Sequence, residues 1–342
     1  MILDAVEPRI EPLLPMALLV AGAAGRDLEV HAPVDAAYLV TLRLGYLPLL
    51  RTLFGFQLTG VEAAGPDQVG FAMRSPDSSR AAGPAALLFS GGVDSSYSFI
   101  RLREAGHPLQ LLVNVNAGAH GPDRDLMRRR YGRVRSFARD VGLDALLIDT
   151  NFHELLAMPH LQAWQFRNLS AAMALVGAAQ GCVVSSTYSY RDQGFERAHE
   201  EIDYLGVAVS ATFAWSRMPV TEVGADSTRI DKVRVIAEDP CSYRLLEVCV
   251  NGPYQLAASA TDPVNCGRCS KCIRTMLTLD HLGRLGAYAT QFDIHTFGSR
   301  RSDILAQVLR SDDPNDREVI EAIRGETRPV GPLMRVPAPG RI

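Results

Sequence analysis

The chain lacks any apolar run approaching the roughly 18 residues that cross a bilayer, and its start, Met1-Ile2-Leu3-Asp4, lacks the basic segment of a secretory signal. The expected location is therefore cytoplasmic, with no membrane partner. It also lacks an excess of charge of either sign. A formal charge of −3 supplies no general attraction for nucleic acid, which is not an expected partner. Cysteine is scarce: six in 342 residues, with none in residues 1–84. Six thiols in a chain this long are not a disulfide framework, and a cluster in a reducing compartment points to metal.

The apolar fraction of 47% is ample for a sizeable core, and the length suggests about two domains. Residues 1–80 read as a small α+β extension. In it, Ala17 to Ala21, Leu28 to His31, Gln57 to Ala63 and Gln68 to Met73 are strand candidates, and Val34 to Phe54 has helical spacing. The extension carries no recognisable chemistry. It is expected to cover the main domain or to make an oligomer contact, a homodimer being the assembly considered. Ser75 to Pro84 reads as a linker. The stretch 85–240 then alternates strand and helix, with strands expected at Ala86–Phe89, Leu109–Val115, Ala145–Asp149 and Cys182–Ser186 and helices near 94–105, 122–141 and 163–180. This alternation predicts an α/β fold with a parallel sheet whose ligands sit beyond the carboxyl ends of the strands. Those ends are Ser90, Asn114 to His120, Asp149 to His153 and Ser185 to Tyr190, and Asn114 and Asn116 are candidates to touch a nucleotide there. The arginines Arg128 to Arg130, Arg133 and Arg135 read as a solvated helix face.

The central motif is Ser90-Gly91-Gly92-Val93-Asp94-Ser95, which follows the apolar Ala85 to Phe89 and opens a helix. Two glycines permit close backbone approach, and the helix start aims N–H groups and the Ser90 and Ser95 hydroxyls at one point, a seat for phosphate. Asp94 could hold a magnesium ion. The Gly-Lys-Ser/Thr ending of a Walker loop is missing.

A second motif is Cys266-Gly267-Arg268-Cys269-Ser270-Lys271-Cys272, with Cys249 upstream. Four thiolates suit tetrahedral zinc in a closed, structural shell. Cys241 competes with Cys249 as fourth ligand, but Leu245 to Cys249 reads as a strand that delivers Cys249. An iron–sulfur cluster is the rival metal. Cys182 reads as a buried small hydrophobe. Helices are expected at Ile273 to Leu282, Ser302 to Arg310 and Pro314 to Arg324, with an extended tail from Pro329, so that 241–342 forms a cysteine-stapled helical region.

The loop resembles the SGGxDS pyrophosphate loop of the N-type ATP pyrophosphatases, and the cysteine motif resembles the zinc site of their 7-cyano-7-deazaguanine synthase branch, with a longer first gap. The resemblance covers residues 85 to 280 and implies an adenine nucleotide alpha hydrolase-like domain binding ATP and magnesium. It further implies that Gln165-Phe166-Arg167-Asn168 opens a helix. An arginine at a helix start opposes the macrodipole, which would be explained by an anion. Arg229-Ile230-Asp231-Lys232 is either a solvated loop or, as the resemblance suggests for Lys232, a neutraliser of departing pyrophosphate. The expected activity is an AMP-forming ligase that adenylates a small-molecule acid for attack by ammonia or an amine. Ser90, Asp94, Ser95, Arg167 and Lys232 are its candidate catalytic residues. Sulfur transfer to tRNA or a small molecule by an enzyme with an iron–sulfur cluster, and a non-catalytic ATP sensor, remain alternatives. The substrate loops from Ser186 to Leu205 carry no assignable roles.

Overall fold

The computed structural model describes residues 9–57, 60–63, 84–120, 123–215, 217–250 and 264–325. Expected elements at Gln68 to Met73, nearly all of the linker Ser75 to Pro84, and the tail from Pro329 lie outside the described residues.

The chain begins with α1 (Leu14–Ala23), which overturns the expected strand at Ala17 to Ala21. That stretch is apolar on every side because Leu18 and Leu19 are both fully buried, and a helix buried all round looks like a strand to a periodicity argument. A short β1 (Leu28–Val30) pairs in parallel with β2 (Val61–Ala63). Between them α2 (Ala36–Thr41), a π-helical turn at Leu42–Tyr46 and α3 (Leu47–Phe54) form one continuous helical rod.

The main sheet contains β3 (Ala85–Leu88), β4 (Leu109–Asn116), β5 (Asp144–Asp149), β6 (Cys182–Ser185) and β7 (Val220–Val223). All pairs are parallel and the spatial order is β5-β4-β3-β6-β7. Four strands agree with the sequence reading to within a residue or so. The fifth, β7, was not expected: it is a four-residue edge strand whose Val-Thr-Glu-Val sequence sets two polar residues side by side and so shows neither alternation nor an apolar run. The order reverses on either side of β3, so the crevice beyond the carboxyl end of β3 is the topological switch point.

Helices cover both faces. Alternate strand residues divide between them: Leu111, Val113, Cys182 and Val184 join the core beneath α1 to α3, α7 (His160–Met173) and α8 (Gly206–Thr212). Leu87, Leu112 and Val183 join the opposite core, under α4 (Val93–Glu104), α5 (Arg124–Asp140) and α9 (Arg229–Glu238). Tyr38 and Tyr46 of the amino-terminal region are fully buried in the first of these cores. That region therefore shares its interior with the sheet.

After the short α6 (Phe152–Leu155) and α10 (Ser242–Leu245), the chain continues through α11 (Ser270–His281), α12 (Ile294–Val308) and α13 (Pro314–Arg324). The strand expected over Leu245 to Cys249 is not formed among the described residues: α10 ends at Leu245, and 246–250 form an arm without regular secondary structure. Arg229 to Lys232 is the first turn of α9, buried rather than a solvated loop. Buried Arg274 ties α11 to α13 through ion pairs with Asp313 and Asp316. Among the described residues no helix is long and apolar enough to cross a membrane.

Candidate nucleotide site and metal centre

Ser90 to Ser95 forms a tight turn at the carboxyl end of β3, leading directly into α4. Gly91 has φ 78°, a conformation only glycine takes without strain. A Cβ on it would also lie 3.5 Å from the Leu245 carbonyl oxygen. The turn is braced from inside: the Ser90 and Ser95 hydroxyls are 3.3 Å apart, the Gly92 N–H donates to Ser90 Oγ at 3.3 Å, and Ser95 Oγ donates to the Gly92 carbonyl at 3.3 Å. Outside, the Glu247 N–H donates to the Gly91 carbonyl at 2.9 Å. Val93 is buried and anchors the first turn of α4.

Asp94, in that first turn, faces the first turn of α9. Arg229 Nη1 lies 3.2 Å from both carboxylate oxygens and Lys232 Nζ lies 3.4 Å from Oδ1. Burial alone would raise the Asp94 carboxyl, but the charges of Arg229, Lys232 and Lys271 outweigh it and hold it below the usual carboxylate value. Lys232 has no exposed surface. Its Nζ also donates to the carbonyls of Ser186 at 2.6 Å and Thr187 at 3.3 Å, beyond the end of β6. Burial pulls its ammonium below the ordinary lysine value, with Asp94 opposing. Gly224, φ 96°, makes room for this side chain: a Cβ there would sit 3.4 Å from Lys232 Cε and 3.2 Å from the Tyr97 ring.

Asn114 and Asn116 occupy the carboxyl end of β4, and their side chains are engaged within the protein. Asn114 Nδ2 donates to the Phe89 carbonyl at 3.1 Å, steadying the strand just before the loop, while its buried Oδ1 has no partner. Asn116 donates to Asp149 at 2.8 Å and faces His120 Nδ1 at 3.0 Å. Arg167 lies in the middle of α7, so the argument from a helix start does not hold. It is nonetheless unusual: only 2% exposed, with Nη2 bound to the carbonyls of Leu156 and Met158 and, among the described residues, a buried Nε that has no partner and no carboxylate paired with the guanidinium. Burial lowers its pKa.

The rim beyond β6 and β7 carries three carboxyls that burial pushes up. Asp203 is raised well above its usual value, with Glu201 adding to the effect, and Glu222 is raised. Glu318 of α13 is raised to about 7 and its Oε2 accepts the Arg229 backbone N–H at 2.6 Å. Tyr188 and Tyr204 stack at 4.2 Å between ring centres, and the Tyr188 hydroxyl donates to Glu201 at 2.9 Å. Of these, Tyr188, Glu201, Asp203 and Tyr204 fall in the loops where the sequence allowed no assignment, whereas Glu222 lies in β7 and Glu318 in α13.

The second centre lies beside the first. The sulfurs of Cys249, Cys266, Cys269 and Cys272 all lie within 4.8 Å of one another, and Cys266 and Cys272 Sγ are 3.9 Å apart. A single tetrahedral ion with Zn–S bonds of 2.3 Å requires sulfurs about 3.8 Å apart, so the donor set fits one zinc-sized ion. Cys266 Sγ also accepts the N–H groups of Arg268 and Cys269, both at 3.4 Å, as suits a thiolate. Cys241 is exposed and outside this group. Cys182 is buried inside β6 and its thiol is pushed up to about 12.

Asn265 sets the arm against the cysteine turn. Its Oδ1 accepts the N–H groups of Val248 at 2.8 Å and Cys249 at 3.2 Å, and its Nδ2 donates to Leu246 and Gln291 carbonyls at 3.0 Å. Arg130 donates to Glu247 at 2.8 Å and to the Cys249 carbonyl at 2.7 Å, and Arg133 pairs with Glu247 at 3.2 Å. Two of the arginines expected on a solvated face are thus clamps on the arm. The signals for them were weak: nothing in the sequence relates Arg130 to a carboxylate 117 positions later. Arg229 was more accessible, since it precedes Lys232 by one helical turn and shares its face. The chain matches no known protein-family model and no curated protein.

Proposed function

We propose that the chain is an ATP-dependent, AMP-forming ligase that activates a small-molecule acid for attack by ammonia or an amine. The parallel sheet is read, at the finer level, as an adenine nucleotide alpha hydrolase-like domain. The observation that carries the proposal is the Ser90 to Ser95 turn at the switch point, with Arg229 and Lys232 buried against its aspartate. Two desolvated cations beside a glycine turn at a helix start form a seat for a polyphosphate.

In this reading a carboxylate oxygen of the acid attacks the α-phosphorus, and the bond to pyrophosphate breaks. Nitrogen then adds to the acyl carbon, AMP departs with the C–O electron pair, and the nitrogen loses a proton. The N–H groups of the turn and the Ser90 and Ser95 hydroxyls bind phosphate oxygens. Lys232 and Arg229 take up the charge that accumulates on the departing pyrophosphate, where fixed charge in a low dielectric is most effective. Asp94 would hold magnesium, which would draw charge from the phosphates. Arg167, a buried cation without a carboxylate, would hold an oxyanion of the acid. No nucleophilic side chain is needed, in keeping with a loop that contains no thiol.

The cysteine set would hold zinc in a closed four-sulfur shell with no open coordination position, a folding role. The sulfur spacing favours one ion over an iron–sulfur cluster, whose thiolates bind different irons and stand further apart. The test is product analysis with ATP, magnesium, ammonium and the small-molecule fraction of a cell extract. AMP and pyrophosphate that depend on the extract are expected. ADP, or ATP recovered intact across all fractions, would overturn the proposal.

A further inference from the structure

Asp94 holds the two cations on which the phosphate site depends. The side chain of Arg229 is 6% exposed, that of Lys232 not at all, and that of Asp94 22%. Both cations stand in the first turn of α9, where the helix dipole disfavours positive charge. Their placement needs a compensating anion, and the carboxylate that supplies it comes from the first turn of α4, packed alongside. Glu318, the other carboxyl near Arg229, bonds to its backbone N–H and not to its guanidinium.

This pairing has a cost on both sides. A carboxylate shared by two cations is a poor ligand for a divalent metal, and two cations neutralised by a carboxylate attract phosphate weakly. One exchange relieves both. We infer that Asp94 is an exchangeable counter-ion: a diphosphate group takes Arg229 and Lys232 from it, and the carboxylate thus released takes the divalent cation. The inference rests on the reading of the turn as a phosphate site and adds the order of charge within it. Divalent cation and diphosphate then assist one another's binding, because each stabilises the arrangement the other requires, and the assistance is equal in both directions.

The exchange is tested with inorganic pyrophosphate and Mn2+, each alone and then together, by titration calorimetry on the intact zinc-supplemented protein. Asp94→Asn is expected to bind metal-free pyrophosphate about tenfold more tightly than the parent, within the span of ordinary coupling energies, and to lose binding of Mn2+ alone. Arg229→Gln is expected to do the opposite, binding pyrophosphate more weakly and Mn2+ alone more tightly. An ion pair that merely braces the fold would instead weaken both ligands in both variants, and that result overturns the inference while leaving the phosphate site intact, provided the parent binds Mn2+ and pyrophosphate together. A parent that binds no pyrophosphate with or without Mn2+ removes the phosphate reading and the inference with it. Should Asp94→Asn fail to fold, the opposed signs in Arg229→Gln still decide the matter.

Discussion

The Ser90 to Ser95 turn with its charged surroundings and the cysteine region lie side by side and are held together by opposite means. In the first, Asp94, Arg229 and Lys232 put three formal charges into a mostly desolvated space, and charges taken from water repay their desolvation poorly. In the second, four sulfurs converge on one point and the surrounding polar groups, Asn265 above all, are satisfied. With an ion bound, the cysteine region would stabilise the chain, whereas the charged region would draw on that stability. The two meet where Glu247 N–H bonds to the Gly91 carbonyl, a single residue, Val248, separating the loop contact from Cys249. Under the proposed function, polyphosphate binding needs cations already stripped of water, and a metal held by the four cysteines nearby would be a physical means of holding them so.

The sharpest way to break this contrast is Cys269→Ser. It is expected to lose the metal and much of the soluble yield, since structural zinc can contribute on the order of 10 kcal/mol to folding. Metal content per chain and thermal denaturation measure it, and a metal-free variant that melts with the parent would remove the stabilising role assigned to the cluster. Lys232→Met probes the other region with a smaller effect. Methionine keeps much of the apolar stem and deletes a buried charge; the Ser186 and Thr187 carbonyls are left unpaired and Asp94 keeps Arg229 as its partner, a loss of about 2 kcal/mol. Pyrophosphate binding should nevertheless disappear. If Lys232→Met destabilises as severely as Cys269→Ser, the two regions do not differ in the manner argued.

The same contrast explains what could be read from the sequence. Three of the four sulfur donors lie within seven residues, and the loop is six contiguous residues after an apolar strand; both are local patterns, and local patterns survive without coordinates. Asp94 and Arg229 are 135 positions apart, and no spacing rule joins them. The β-strands of the sheet were legible because each buried strand is a short apolar run, but β7 at the edge has a polar alternate residue, Glu222, and lost that signature. The amino-terminal helix α1 failed for the opposite reason, being too uniformly apolar for its period to show. Leu245 to Cys249 was read as a strand because its apolar composition suffices for that reading; among the described residues it pairs with no strand, and the N–H groups of Glu247, Val248 and Cys249 go to the Gly91 carbonyl and Asn265.

The smallest expected effect bears on the seam between the regions. Glu318 reaches from α13, which Arg274 ties to the cysteine-bearing α11, to the backbone of Arg229 in the charged site. Burial raises its folded pKa to about 7 from the ordinary glutamate value of 4.5, so the ionised form is the one the fold penalises. Stability from this group is fully present below 4.5, declines as pH rises toward 7, and stays reduced above it. Glu318→Gln cannot ionise and retains an oxygen to accept the Arg229 N–H. It should therefore match the parent near pH 4 and exceed it above pH 7 by on the order of 1 kcal/mol, less than a rise from 4.5 to about 7 would give a fully buried group, because the half-buried carboxyl keeps some screening by water. Urea midpoints measured across that range decide it. A variant less stable than the parent at pH 8 would mean that ionised Glu318 gains more from Arg229 and Lys232 than burial takes away, and the charged region would then be stabilised by its acids to a greater degree than the comparison allows.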